Sequence, residues 1–211
     1  MQKNLMIKDY IKKLSSKDPA PGGGSAAALV GVVSSALTAM VFNLTVGKKV
    51  YEEYNEEEKN LISNSLLEVE KYNNELMEVM DKDGEAFLGL MAAFRMPKNT
   101  DSEKAERAKS INMGYKNALE VPLNLAKQLL KLYDNILISS QYGNKNVICD
   151  AGVAAILLSS AIESAILNVN VNLKGIKDEN YKNEVNKECI NIMKQALLKK
   201  EKIMNIVNFK I

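Results

Sequence analysis

From Pro19 to Gly47 the chain carries no charged side chain, and from Val147 to Leu173 it carries only Asp150 and Glu163. Apolar segments of this length have three resting places: a protein core, a subunit interface, or a bilayer. The first opens with Gly22, Gly23 and Gly24 and then mixes Ser25, Ser34, Ser35, Thr38, Asn43 and Thr45 among its alanines and valines. The second contains three asparagines besides its two carboxylates. That composition suits two small-residue helices packed tightly in a helical core or across a subunit interface, and no membrane span is expected. Nor is a leader expected in MQKNLMIKDYIKKL, where Ile7, Ile11 and Leu14 repeat at four and three as an amphipathic helix and no continuous apolar run follows.

Helical spacing dominates elsewhere, and alternating apolar runs are rare. The pattern predicts six main helices, at about 2–14, 25–46, 55–95, 102–134, 147–172 and 178–208. Gly47 ends the second. Acidic residues from Glu52 to Glu58 cap and solvate the start of the third. Its apolar seam reads Val69, Tyr72, Leu76, Val79, Asp83, Phe87, Leu90 and Phe94. Pro97 stops it. Pro122 lies inside the fourth helix and is expected to kink or break it. No repeat, low-complexity tract or linker divides the chain, so residues 1–211 are expected to form one all-α domain.

The charge balance is 28 basic against 26 acidic residues, which marks neither a nucleic-acid partner nor a cation buffer. There is no histidine. Histidine triads, histidine metal sites and imidazole acid–base catalysis are therefore excluded, and proton transfer near neutral pH falls to a carboxylate, lysine, tyrosine or cysteine with a shifted pKa. Cys149 and Cys189 have neither disulfide-framework nor zinc spacing and fit a reducing cytosol.

Four features can carry chemistry, each beside a plainer reading. Asp83 is a carboxylate within an apolar seam, where desolvation raises its pKa toward neutrality; it could equally cap or salt-bridge a neighbouring helix. Asp81, about 200° round the helix, is expected to face away. The loop Gly22-Gly23-Gly24-Ser25 leads bare peptide N–H groups into a helix N-terminus, an arrangement that suits phosphate or carboxylate but also simply lets helices approach. Asn168 and Asn172, four apart, share a helix face and could read the edge of a polar heterocycle, or mark a solvated helix end; NVNVN also reads as a short strand. Asp150 sits in a first helical turn, where the dipole favours a carboxylate whatever else it does. Lys48 and Lys49 are helix-end charges that could receive an anionic ligand tail. Cys149 reads as a packed small residue, with no partner base in view.

Seven segments, PAPGGGSAAALVG, NLTVGKKVY, DKDGEAF, RMPKNT, ALEVPL, GNKNVICDAGVAA and NVNVNLKGIKD, occur in an order and spacing that resemble the cyclodeaminase/cyclohydrolase family of folate enzymes. The resemblance runs from about residue 5 to residue 205 and would correspond to the free-standing form, without a formiminotransferase half. It implies an all-helical, cytoplasmic homodimer acting on the one-carbon unit of tetrahydrofolate. Two reactions are implied: cyclodeaminase, making 5,10-methenyltetrahydrofolate and ammonia from 5-formiminotetrahydrofolate, or cyclohydrolase, interconverting the methenyl and 10-formyl forms. A non-catalytic folate-binding or scaffold protein is the alternative of another class. The family's D-x-x-A-F carboxylate falls on Asp83, its glycine loop on Gly22–Ser25, its DAGVAA motif on Asp150–Ala155, and its N-V-x-x-N-L pattern on Asn168 and Asn172. Cys149 departs from the serine that relatives often carry. On this resemblance Asp83 is expected to shuttle the proton. The glycine loop with Lys48 or Lys49 is expected to hold carboxylates of a glutamate or polyglutamate tail, and the asparagines to recognise the pterin. No metal, cofactor beyond the folate substrate, nucleic acid or membrane is expected.

Overall fold

The computed structural model describes residues 1–211, all helices and connecting turns with no strand. A 3-10 turn at Gln2–Asn4 leads into α1 (Ile7–Leu14); then follow α2 (Gly23–Asn43), the one-turn α3 (Lys49–Glu52), α4 (Glu56–Phe94), α5 (Asp101–Tyr142), α6 (Ile148–Leu173) and α7 (Glu179–Lys210). The start of α4 is fixed by a capping box of Asn55 and Glu58, and that of α5 by one of Thr100 and Glu103. Asp178 caps α7 by accepting from the N–H groups of Asn180 and Tyr181.

Helices α2, α4, α5 and α6 form an up-and-down bundle, and α7 packs on α5 and α6. The contacts give the directions. Gly23 meets Asn168, and Ser34 Oγ donates to the Ala154 carbonyl at 2.8 Å, so α2 and α6 run antiparallel. Gly24 meets Asp83, and Ser35 Oγ donates to the Val69 carbonyl, so α2 and α4 are antiparallel too. A Cβ at Gly31 would lie 2.6 Å from Leu129, which is how α2 nests against α5. The small residues of the uncharged segments thus serve close helix approach. Both α2 and α6 are long and apolar enough to cross a membrane, yet 56% of each apolar window is buried inside the bundle.

Three expectations are corrected. Of the kink or break expected at Pro122, the break does not occur: α5 continues through the proline, which is buried in it. Proline lacks the N–H that would bond the carbonyl four residues back, that of Ala118. The side-chain amide of Asn172 on α6 donates to that carbonyl at 2.8 Å, so the backbone group that Pro122 orphans is satisfied from a neighbouring helix. The 168–172 segment is helical, which removes the strand reading. The amphipathic stripe of the N-terminal helix is only partly what packs: Leu14 lies against the core, but Ile7 and Ile11 are exposed and Tyr10 is the buried residue. The seam of α4 is buried from Val69 to Val79 and again at Leu90, but it opens to solvent at Phe87 and Phe94.

Candidate active site

At the N-terminal end of α2 the chain has no side-chain cap of its own, since the N-cap is Gly22. The cap comes from α4. The carboxylate of Asp83 accepts from the Ser25 N–H at 2.9 Å, meeting the positive end of the helix dipole. Gly24 permits this: a Cβ there would sit 2.0 Å from Asp83 Oδ1. The N–H groups of Gly23 and Gly24 have no protein acceptor, which leaves two donors at the same helix end.

Asp83 is half-buried. Burial pushes its pKa above the usual carboxylate value of 3.8, while the Ser25 N–H bond pulls it back part of the way. Its surroundings are built by residues that spacing alone does not flag. The Ser25 hydroxyl donates to Gln2 Oε1 at 2.5 Å and accepts from Tyr10, 3.0 Å away and buried. Burial, against the Ser25 bond, raises the Tyr10 pKa, with the nearby Asp83 charge adding to the rise. Asp81, expected to face away from Asp83, is buried beneath the N-terminal turn: its Oδ1 accepts from the Gln2 main-chain N–H, and its Oδ2 has no partner. Lys3 pairs with Glu78 one turn earlier. A Cβ on Gly84 would lie 2.3 Å from Gln2 Nε2, so the turn lies directly on α4. No signal marked Gln2, which the predicted first helix at about 2–14 simply includes.

Around Asp83 lies a cavity of about 260 Å³, lined by Pro19, Gly22, Gly23, Gly24, Phe87, Ala118, Asn168, Val171 and Asn172 among others. Six of the residues picked from the sequence therefore meet: Gly22, Gly23, Gly24, Asp83, Asn168 and Asn172. Ser25 stands just behind them. The two asparagines spend their amide groups on backbone carbonyls, Asn168 on Ser164 and Asn172 on Asn168 and Ala118. Their carbonyl oxygens remain as acceptors for a ligand. Lys48, Lys49 and Asp150 lie elsewhere. Lys48 and Lys49 follow the C-terminal end of α2, exposed and outside every ion pair, and Asp150 opens α6 beside that same end. A larger groove of about 630 Å³ runs between α4 and α5, but its charged residues Glu85, Glu106 and Lys109 are solvated. It offers no desolvated proton-transfer group, whereas the Asp83 cavity does, which makes that cavity the candidate site. No three cysteine, aspartate or glutamate side chains gather in a metal-holding group.

What this arrangement can do is move a proton at a carboxyl group while peptide N–H donors and amide oxygens hold a polar ligand. The chain's likeness to known proteins agrees with that chemistry. It is 39% identical to the methenyltetrahydrofolate cyclohydrolase of Methylorubrum extorquens over 211 residues, all of both chains. It is 31% identical over 187 residues to the formimidoyltransferase-cyclodeaminase of Gallus gallus, covering 89% of this chain and 34% of that protein, so it spans about a third of the length of that relative. The crystal structure of formiminotetrahydrofolate cyclodeaminase from Thermotoga maritima superposes with a TM-score of 0.86 at 25% identity, over 99% of this chain and 98% of that one. The family model described as formiminotransferase-cyclodeaminase matches residues 6–191, and the chain belongs to that family.

Proposed function

We propose that this protein is a cytoplasmic, homodimeric methenyltetrahydrofolate cyclohydrolase that interconverts 5,10-methenyl- and 10-formyltetrahydrofolate, with no cofactor beyond its folate substrate. The observation that carries the reading is Asp83, a desolvated carboxyl group fixed by the Ser25 N–H in a ligand-sized cavity of a chain without histidine. End-to-end similarity to the Methylorubrum extorquens enzyme supports hydrolysis as the reaction. In that reaction water adds to the bridging carbon between N5 and N10. The water loses one proton as it attacks the cationic methenyl carbon. The carbon–N5 bond then breaks as the new hydroxyl releases its second proton to solvent and becomes the formyl carbonyl. N5 gains a proton while the formyl group stays on N10, for a net release of one proton. One carboxylate of raised pKa serves both transfers: it takes the proton from water and returns it to N5.

Cyclodeamination is the second reading, supported by the fold match to the Thermotoga maritima protein and by the cyclodeaminase relatives. There N10 attacks the formimino carbon and the tetrahedral adduct expels ammonia. Asp83 again receives a proton, from N10, and delivers it to the leaving nitrogen. Asn168 and Asn172 present acceptors to the pterin edge, and Gly23 and Gly24 present donors to its polar atoms. The test is an absorbance assay for methenyltetrahydrofolate with each substrate in turn. Enzyme-dependent loss of methenyltetrahydrofolate establishes the cyclohydrolase. Its accumulation with ammonia from 5-formiminotetrahydrofolate establishes the cyclodeaminase. Silence with both, from folded protein, refutes the enzyme reading and leaves a scaffold or binding role.

A further inference from the structure

Helices α2 and α4 are joined directly by two hydrogen bonds, ten residues apart on α2: Ser35 Oγ to the Val69 carbonyl within the bundle, and the Ser25 N–H to Asp83 at its end. At that end α2 has little to grip with, since Gly22, Gly23 and Gly24 bring no side chains to pack. The grip comes from the N-terminal turn, which is seated on both helices. On α4 it has three holds. Lys3 pairs with Glu78, the Gln2 main-chain N–H donates to Asp81, and the Gln2 side-chain amide lies against Gly84. On α2 it meets Ser25, whose hydroxyl donates to Gln2 Oε1 at 2.5 Å. Ser25 spends its one proton on that bond, so Tyr10 is the donor to Ser25 Oγ, and the serine is held from two sides. Asp81 points the same way. Only 8% of it is exposed, and its Oδ2 has no partner. A buried carboxylate oxygen left unpaired costs stability, so stability does not account for a carboxylate at this position. Its one bond is to the residue that reaches Ser25.

We infer that Gln2 is a positioning residue for proton transfer at Asp83: it ties the first turn of α2 to α4 and so fixes the Ser25 N–H on which the carboxylate rests. The inference rests on the proton-shuttle role of Asp83 proposed above. Gln2 does not line the cavity and makes no bond to Asp83, so it acts through Ser25. The fit leaves no slack. Asp83 sits 2.9 Å from the Ser25 nitrogen, in the space that a Cβ on Gly24 would fill. Releasing the tie lets the glycine turn draw away from α4, while the Ser35 bond and the core around it stay. Asp83 then keeps its place in α4 but loses its donor and its orientation. A misplacement of 1 Å in a reacting group costs about 10²-fold, so a shift of about half that size costs about tenfold in kcat. KM should move less, because Asn168, Asn172 and Phe87 of the cavity wall stand on α6 and α4, outside the tie.

The experiment compares wild type with Gln2→Met and Gly84→Ala. The first keeps the length of the side chain but has no amide oxygen for Ser25. The second leaves Gln2 intact and pushes its amide off α4, since a Cβ there would lie 2.3 Å from Gln2 Nε2. Two readouts are taken, steady-state kinetics on the folate substrate and residue-resolved amide hydrogen exchange. The Ser25 N–H reports the tie directly, because its one acceptor is Asp83. Both variants are expected to lose about tenfold in kcat with a smaller change in KM. Both should lose protection at Ser25 while the buried Leu129 and Leu158 keep theirs. Alanine suits a helix interior better than glycine, so Gly84→Ala should not melt lower than wild type; a merely structural role does not couple lost kcat to retained stability. The double variant should be little worse than either single one, since both changes release the same tie. Wild-type kcat and Ser25 protection in either variant overturn the inference. Losses that multiply in the double variant overturn it too, as does a kcat loss matched by lost protection at Leu129 and Leu158. If wild type is silent on both folates, the folate reading falls and exchange decides alone: Ser25 deprotected in both variants supports the tie, and Ser25 still protected overturns it.

Discussion

The two ends of α2 solve the same problem differently. Each must satisfy backbone groups that the helix itself leaves free. At the C-terminal end the work is done by neutral neighbours: Thr45 Oγ1 donates to the Val41 carbonyl, and Asn144 donates its side-chain amide to the Leu44 carbonyl and its main-chain N–H to Thr45 Oγ1. None of these bonds uses an ionisable side chain, and the nearby Lys48 and Lys49 are exposed. At the N-terminal end the work is done by a carboxylate from another helix, held partly out of water. Both ends carry glycine and polar residues in the sequence. What separates a structural helix end from a chemical one is whether the group that satisfies it can change its protonation state.

The sharpest way to break this contrast is Asp83→Asn. The amide still accepts from the Ser25 N–H, so the helix end stays capped, but the proton shuttle is gone. Turnover should fall by about 10²–10⁴-fold. Stability should move the other way. The folded pKa of Asp83 lies above its unfolded value, so its contribution to stability is fully present only below the unfolded pKa and is lost as pH rises through the folded one. At pH 7 the asparagine variant is therefore expected to melt higher than wild type, and the advantage should shrink in acid. In wild type, kcat/KM should fall as pH drops through the raised pKa, with its acid limb above 3.8. An acid limb at or below that value would remove the desolvated base from the mechanism.

Next is Gly24→Ala. Its Cβ would occupy the place of Asp83 Oδ1, and the carboxylate must shift by about an ångström or more. A displacement of that size in a catalytic group costs about 10²-fold. Gly23→Ala meets only the Asn168 side chain, at 3.3 Å, and should lose far less. Equal losses in the two variants would mean that the loop matters for flexibility and not for Asp83.

These residues also show what the sequence could reveal. Asp83 was legible because a carboxylate at 3–4 spacing among Val79, Phe87 and Leu90 breaks a local pattern that one helix displays entirely by itself. The order of the long helices was legible for the same reason. Asp81 was not: the helical wheel correctly turns it away from Asp83, but residues seventy-odd positions earlier fold over it. Nor was the N-terminal helix: of its three aliphatic positions only Leu14 packs on the core, while Ile7 and Ile11 are exposed and Tyr10 is the residue that turns inward, bringing its hydroxyl to Ser25. The placement of Lys48 and Lys49 was hidden by length alone. Motifs adjacent on paper lie at opposite ends of a straight helix.

Pro122 teaches the same lesson most measurably, and it sharpens the comparison by supplying a helix-interior carbonyl satisfied from outside. The Ala118 carbonyl has lost its N–H partner to proline and gained the Asn172 amide. Asn172→Ala should therefore destabilise the fold by about 1–3 kcal/mol, the cost of leaving a buried acceptor unpaired. Pro122→Ala in the Asn172→Ala background restores the intrahelical N–H, so it should recover part of that loss. In wild type the same proline change should gain less, because the carbonyl is already paired. Urea titrations of the four proteins measure the coupling directly. Additive free energies would show that Asn172 does not support α5, and would leave its place beside Asp83 as its whole role. Asn144→Ala, at the quiet end of α2, gives the smallest effect: about 1 kcal/mol of stability and no movement of the acid limb of kcat/KM, since no titrating group depends on it.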